Sequence, residues 1–188
     1  MQMIENDYAF LRASVSQLED YLLSDVLYYP VTADGGRQIR GDTTRLTLGN
    51  LLLSVRRLEA DALPEDIRNK ADEAIGQVNH IRNRWQSNWK RKAGLEIPNR
   101  LRLWKNYLDD WRENSPSAAG EYRYNVRLRV ILELLFSESD ELFVQEHELL
   151  RSLDSRLKAK GTAGQFIWDS RYQNVFPTDR YWFLYLKV

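Results

Sequence analysis

A mostly helical bundle of about six helices, closed by an aromatic C-terminal segment, is the fold class this sequence predicts. Three observations lead there. Apolar residues recur at steps of three and four from Ile4 to about residue 159, which is the stripe of an amphipathic helix. Prolines, acids and a glycine fall where such helices would start and stop. The breaks between stripes are short, as antiparallel neighbours in a bundle require.

In the first element, Ile4, Tyr8, Leu11, Val15, Leu18, Leu22 and Val26 form one stripe. It is expected to end near Leu27, because the residue before Pro30 avoids the helical region. Residues 30–42 read as irregular around the turn Asp34-Gly35-Gly36. A small hairpin pairing Tyr28 to Thr32 with Gln38 to Arg40 is the candidate β element. Asp42 or Thr43 is expected to cap the next helix, which carries Leu48, Leu51, Leu52, Val55, Leu58 and Ala62.

Pro64, followed by Glu65 and Asp66, restarts a helix with acids in its first turn. Its stripe is Ile67, Ala71, Ala74, Val78, Ile81, Trp85 and Trp89, and Gly94 is expected to end it. Pro98 opens a helix with Leu101, Trp104, Leu108 and Trp111, which Asn114-Ser115-Pro116 breaks. Ser115 or Ser117 starts the next, with Tyr122, Val126, Val130, Leu134 and Leu135. Ser137 to Glu141 reads as a capped junction. Leu142, Leu149, Leu153 and Leu157 follow, before Lys160-Gly161 closes the run.

The last segment breaks the pattern. After Gly161 to Gly164 come Phe166, Trp168, Tyr172, Phe176, Tyr181, Trp182, Phe183 and Tyr185. Arg180 to Val188 has the composition of a strand, with Tyr28 to Thr32, another chain, or no partner as its alternatives. A single domain spanning 1–188 is expected: a bundle over 1–160, with 161–188 packed on it or on a partner. At 188 residues the chain is near the size of one ordinary domain.

Composition narrows the function classes. Apolar residues make up 43% and charged residues 29%, a balance that supports a packed core over disorder. Formal net charge is zero, so only a local patch would favour nucleic acid or membrane. The absence of cysteine excludes disulfides, thiolate zinc sites and cysteine nucleophiles. Met1 to Asp7 lacks the basic and apolar regions of a secretory signal, and no apolar run approaches the ~20 residues of a membrane span. A cytoplasmic protein without membrane attachment is the expectation.

Five features are candidates for function. From Arg82 to Lys105 run Arg82, Arg84, Lys90, Arg91, Lys92, Arg100, Arg102 and Lys105, with Glu96 the one acid and Trp85, Trp89 and Trp104 interleaved. Cations bind phosphates and aromatics stack on bases, so Arg84, Lys90, Arg91, Lys92, Arg100 and Arg102 are candidate nucleic-acid or anion contacts. Positive charge at a helix C-terminus is their structural role, and the acids between Glu133 and Glu148 are candidate partners. Arg40-Gly41-Asp42-Thr43-Thr44-Arg45 sits at an expected helix start, where free N–H groups bind anions, but it lacks the phosphate-loop pattern. Glu146-His147-Glu148 holds metal-capable groups that point ~100° apart on a helix and cannot close on one ion. Arg129 and Glu133 are spaced to pair on a helix apolar nearly all round, which reads as central. The aromatic tail must cover something, and Trp168, Tyr181, Trp182 and Tyr185 are the candidate partner-binding residues.

No nucleophile elbow, carboxylate cleft or metal motif stands out. The sequence is therefore expected to specify a non-catalytic protein-interaction or assembly subunit, without a cofactor, that binds a protein partner or itself. Nucleic-acid binding through Arg82–Lys105 is the alternative.

Overall fold

The computed structural model describes residues 2–31, 45–60, 63–113, 120–139 and 143–187. They form a mostly helical fold with two small two-stranded antiparallel sheets. The helices are α1 (Gln2–Val15), α2 (Leu18–Leu23), α3 (Leu48–Leu58), α4 (Glu65–Arg84), α5 (Gln86–Glu113), α6 (Tyr122–Asn125), α7 (Arg127–Glu138) and α8 (Val144–Lys160). Helices α3, α5 and α7 pack mutually at the centre; α1 lies on α3, α4 on α1, and α8 along α5.

Two expected helices are each split. The first breaks at Ser16-Gln17. Ser16 Oγ and Gln17 Nε2 both donate to the Ala13 carbonyl, while the Gln17 N–H turns to Ser14 O at 3.1 Å. Side-chain donors thus take the acceptor that the helix ladder would use. The stripe survives the break, because Ile4, Leu11, Leu18 and Leu22 all reach the core. The segment from Tyr122 to Glu138 is likewise divided at Val126 into α6 and α7.

The boundary expected at Gly94 lies elsewhere. Helix α4 ends at Trp85, and α5 then runs through both Gly94 and Pro98. Gly94 keeps helical backbone, and its missing side chain serves packing. A Cβ there would stand 2.9 Å from Cζ of Phe143, whose ring occupies the space. The first residues of α8 are thereby drawn against α5.

Helix α3 starts at Leu48 with Thr47 as its cap, five residues after Asp42, because Thr47 Oγ1 accepts from Asn50 N at 3.2 Å. The cap proposed at Asp42 or Thr43 lies outside the described residues, as do the turn Asp34-Gly35-Gly36, the arm Gln38 to Arg40 and the break at Asn114 to Ser117. Strand β1 (Tyr29–Pro30) pairs with β2 (Arg45–Leu46), Tyr29 opposite Leu46. The C-terminal strand finds its partner within the tail: β3 (Thr162–Ala163) pairs with β4 (Leu186–Lys187). Gly164 permits this close approach, since a Cβ there would stand 3.0 Å from the backbone N of Lys187. Between these strands run 3-10 turns at Ser170–Val175 and Trp182–Tyr185.

Four of the eight aromatics in the tail are core. Tyr172, Phe176, Tyr181, Phe183 and Leu184 are buried, and Phe176 meets Tyr181 edge to face at 5.0 Å. Tyr122 of α6 donates its hydroxyl to Phe183 O at 2.6 Å, fixing the tail to the bundle. No helix among the described residues is long and apolar enough to cross a membrane.

Candidate functional site

The basic stretch is drawn mostly inward. Lys92 is completely buried, its Nζ donating to Val26 O at 2.6 Å and to Ser24 Oγ at 3.3 Å, 4.1 Å from the centre of the Tyr21 ring. Burial pushes its amine down to about 8, with repulsion from Arg91 adding to the effect. Arg91 donates to the carbonyls of Leu22 and Ser24, both at 2.9 Å, closing the open end of α2. Arg84 reaches Glu19 at 3.3 Å, and Lys105 pairs with Asp109 at 2.6 Å. Arg82 pairs with Glu138 at 2.6 Å, so one of the expected acids between Glu133 and Glu148 does meet this stretch within the chain. Lys90 and Arg102 lie exposed on α5.

Arg100 belongs to a buried polar knot. Its Nε and Nη2 hold Glu96 at 2.8 and 2.7 Å, and Nη2 also reaches Thr47 Oγ1 and Asn50 Oδ1. Glu96, fully buried, accepts the Gly49 N–H at 2.8 Å. Leu48 N donates to Tyr21 OH at 3.1 Å, and Asn50 N to Thr47 Oγ1. The first three N–H groups of α3 are thus each satisfied by a side chain. The anion at the start of α3 is the chain's own Glu96, favoured there by the helix dipole, whereas the expected anion site at Arg40 to Thr44 lies outside the described residues. Gly49 is required for the approach: a Cβ would come within 2.3 Å of Ile131 Cγ2 and 2.8 Å of Glu96 Oε1.

A second buried network surrounds Arg129. Its fork grips both oxygens of Asp154 at 2.9 Å, and Nη1 holds Glu133 at 3.0 Å. These pairs hold the guanidinium firmly charged against the cost of burial. Glu133 is shared with Arg180 at 3.0 Å, and the Arg129 guanidinium lies 4.5 Å from the Phe183 ring. The Arg129–Glu133 spacing therefore marks a joint between α7, α8 and the tail. Helix α7 is central, with Val130, Ile131, Leu132 and Leu135 all fully buried.

Among the tail residues picked out by the sequence, Tyr181 is buried, while Trp168, Trp182 and Tyr185 are half-buried. Trp168 donates Nε1 to Arg123 O at 2.9 Å, and Tyr185 OH donates to Phe176 O at 2.9 Å. Lys158 stands 4.5 Å from the Trp182 ring. His147 stacks on Phe136 at 4.0 Å, and no group of three metal-capable side chains gathers among the described residues. A cleft of about 240 Å³ between the ends of α5 and α8 is lined by Leu108, Trp111, Arg156, Leu157, Ala159 and Lys160. Among the described residues its lining carries no carboxylate, histidine or hydroxyl.

What composition alone did not single out is a set of exposed apolar side chains where residues 22–28 cross α5. Asn88 and Arg91 bond Leu22 O, Lys92 bonds Val26 O, and Tyr28 OH donates to Asn99 Oδ1 at 2.6 Å. These contacts lay the segment against residues 88–99. Leu23, Val26 and Leu95 lie in this stretch, and they remain 52%, 49% and 47% exposed. Asp25, fully exposed, and Arg91 place charge of both signs beside them. The signal was present, because Val26 and Leu22 share the first stripe, but the stripe alone assigns both to the core. The turn after Leu23 sends Val26 outward.

Comparison with known proteins finds no matching family model, no matching curated protein and no matching solved structure.

Proposed function

We propose that this chain is a non-catalytic interaction or assembly subunit that binds a protein partner through the surface formed by Leu23, Val26 and Leu95. The observation that carries this reading is three large apolar side chains, each about half exposed, on one stretch with charges of both signs beside them. That is the apolar-centre, polar-rim composition of protein interfaces. The ionic networks add support of a different kind. Glu96–Arg100 and Arg129–Asp154 spend their charges on holding helices in place, as in a rigid platform. The tail contributes through Trp182, which is half-buried beside Lys158, more than through the buried Tyr181.

Nucleic-acid binding through Arg82–Lys105 has less support, since Lys92 and Arg100 are buried and Arg82, Arg84, Arg91 and Lys105 each hold an acid. The test is a tagged chain expressed in its source cells, compared with a variant carrying Leu23→Lys, Val26→Lys and Leu95→Lys. The changes are at exposed sites, so the variant keeps its melting temperature within about 6 °C. It is expected to lose a stoichiometric protein that the wild type retains. Retention of every partner by the folded variant would overturn the assignment of this surface.

A further inference from the structure

Asp7 is a buried carboxylate with too few partners. It projects from α1 against α3, where Ser54 Oγ donates to Oδ1 at 3.3 Å and Arg57 Nη1 stands 3.6 Å from the same oxygen. Oδ2 has no hydrogen-bond partner among the described residues. Two more orphans belong to the groups around it: Arg57 Nε and Tyr172 OH. Tyr172 comes from the 3-10 turn of the tail, and the Arg57 guanidinium lies 5.0 Å from the Trp168 ring and 5.9 Å from the Tyr172 ring. Arg56, the next residue, donates Nε to Val175 O at 2.8 Å and pins the end of that turn. One cluster therefore joins the N-terminal helix, the central helix α3 and the start of the aromatic tail.

The charged groups around the cluster can be named element by element. Helix α3 supplies Arg57, the ionic partner of Asp7 among the described residues. The tail supplies Tyr172, with Asp169 and Arg171 acting on it. Asp169 and Arg171 are spent on each other at 2.7 Å. Helix α4 offers buried Ala71, Ala74 and Val78 to the core. One distant cation and one long hydroxyl contact do not replace the water that a carboxylate loses on burial.

We propose that the Asp7–Arg57–Tyr172 cluster is a proton-operated latch: residues 166–176 stay seated on α3 when Asp7 is protonated, and unseat more often when it is ionised. Protonation removes the desolvated charge and gives Asp7 a donor of its own. Ionisation favours any opening that brings water to Oδ2 and to the hydroxyl of Tyr172. Burial pushes the Asp7 carboxyl up to about 6 from 3.8, with Arg57 and Ser54 opposing, so the latch works between neutral and mildly acidic pH. Histidines lie elsewhere: His80 is exposed on α4, and His147 stacks on Phe136.

The test is amide hydrogen exchange of residues 166–176 at pH 5.0 and 7.5, corrected for intrinsic rates. Linkage between a closed state at about 6 and an open state at 3.8 gives about tenfold more protection at the lower pH. Asp7→Asn is expected to abolish that difference and to hold the protection of the acidic wild type at both values. A tenfold response that survives in Asp7→Asn overturns the proposal, as does equal protection of the wild type at both values. Should Asp7→Asn misfold, the ¹³C titration of the wild-type Asp7 carboxyl decides. A midpoint near 6 that coincides with the pH midpoint of exchange protection over 166–176 supports the latch, and a midpoint near 3.8, or protection that does not follow the carboxyl, sinks it.

Discussion

Replacing Glu96 with glutamine tests whether the buried knot at the start of α3 is required by the fold. The substitution keeps the shape and one carbonyl acceptor and removes the charge. One Glu96 oxygen accepts from Gly49 N at 2.8 Å and the other from Arg100 Nε and Nη2 at 2.8 and 2.7 Å, and the single amide oxygen can serve one of these two sides. The side left unserved loses about 1 kcal/mol, and Arg100 becomes a buried cation with no counter-charge, beside the amide, Thr47 and Asn50. Breaking a buried pair from one side costs ~3–5 kcal/mol, and the retained amide places Glu96→Gln near the lower end, at ~3 kcal/mol. For a chain of this size that is a fall of ~6–12 °C in melting temperature. Thermal and urea unfolding followed by circular dichroism measure both quantities. The double variant with Arg100→Met should lose clearly less than the sum of the two single losses, because it leaves neither charge stranded. A loss under about 1 kcal/mol for Glu96→Gln, or additive losses in the cycle, would refute the reasoning.

Three further outcomes follow from the same geometry. Gly49→Ala should cost ~1–3 kcal/mol or more, read by urea unfolding, since its methyl would meet Ile131 Cγ2 at 2.3 Å in a packed core. Tyr181→Ala should cost ~3–5 kcal/mol and Trp182→Ala less, since Tyr181 is buried and Trp182 half-buried. Because the folded Asp7 carboxyl titrates near 6 and the unfolded one near 3.8, its contribution favours the fold below 3.8 and is lost as pH rises through 6. That contribution amounts to ~3 kcal/mol at most, so urea midpoints should rise from pH 7.5 to 5 in the wild type and stay level in Asp7→Asn. Asp109 and Asp169 act in the opposite sense, because hydrogen bonds from Lys105 and from Arg171 hold them down at about 2. Their stabilisation is lost as pH falls from 3.8 toward 2.

Helix type and helix faces were legible from spacing, because an amphipathic stripe is a local property. Ile4 to Leu22 and Val126 to Leu135 reach the core as that spacing requires. Boundaries were less legible where side chains act against the usual rules. Gly94 reads as a stop only if its freedom is conformational; here it makes room for Phe143, a residue far away in sequence. The partner of the C-terminal strand was hidden for a related reason. A two-residue strand at Thr162–Ala163 has no pattern of its own and exists through Gly164 and the returning chain. Charge was the least legible. A run of cations reads as a surface patch, whereas Lys92 points inward to a carbonyl of the segment after α2 and Arg100 to a glutamate buried on its own helix. The apolar surface at Leu23, Val26 and Leu95 combines two segments that only the fold brings together.

The most direct measurement is a hydrogen-exchange comparison of the isolated chain with the complex purified from its source cells. The proposed surface predicts added protection over residues 22–28 and 91–99 in the complex, with a smaller gain around the half-buried Trp182. Added protection over 177–187 alone, or none anywhere, would contradict it.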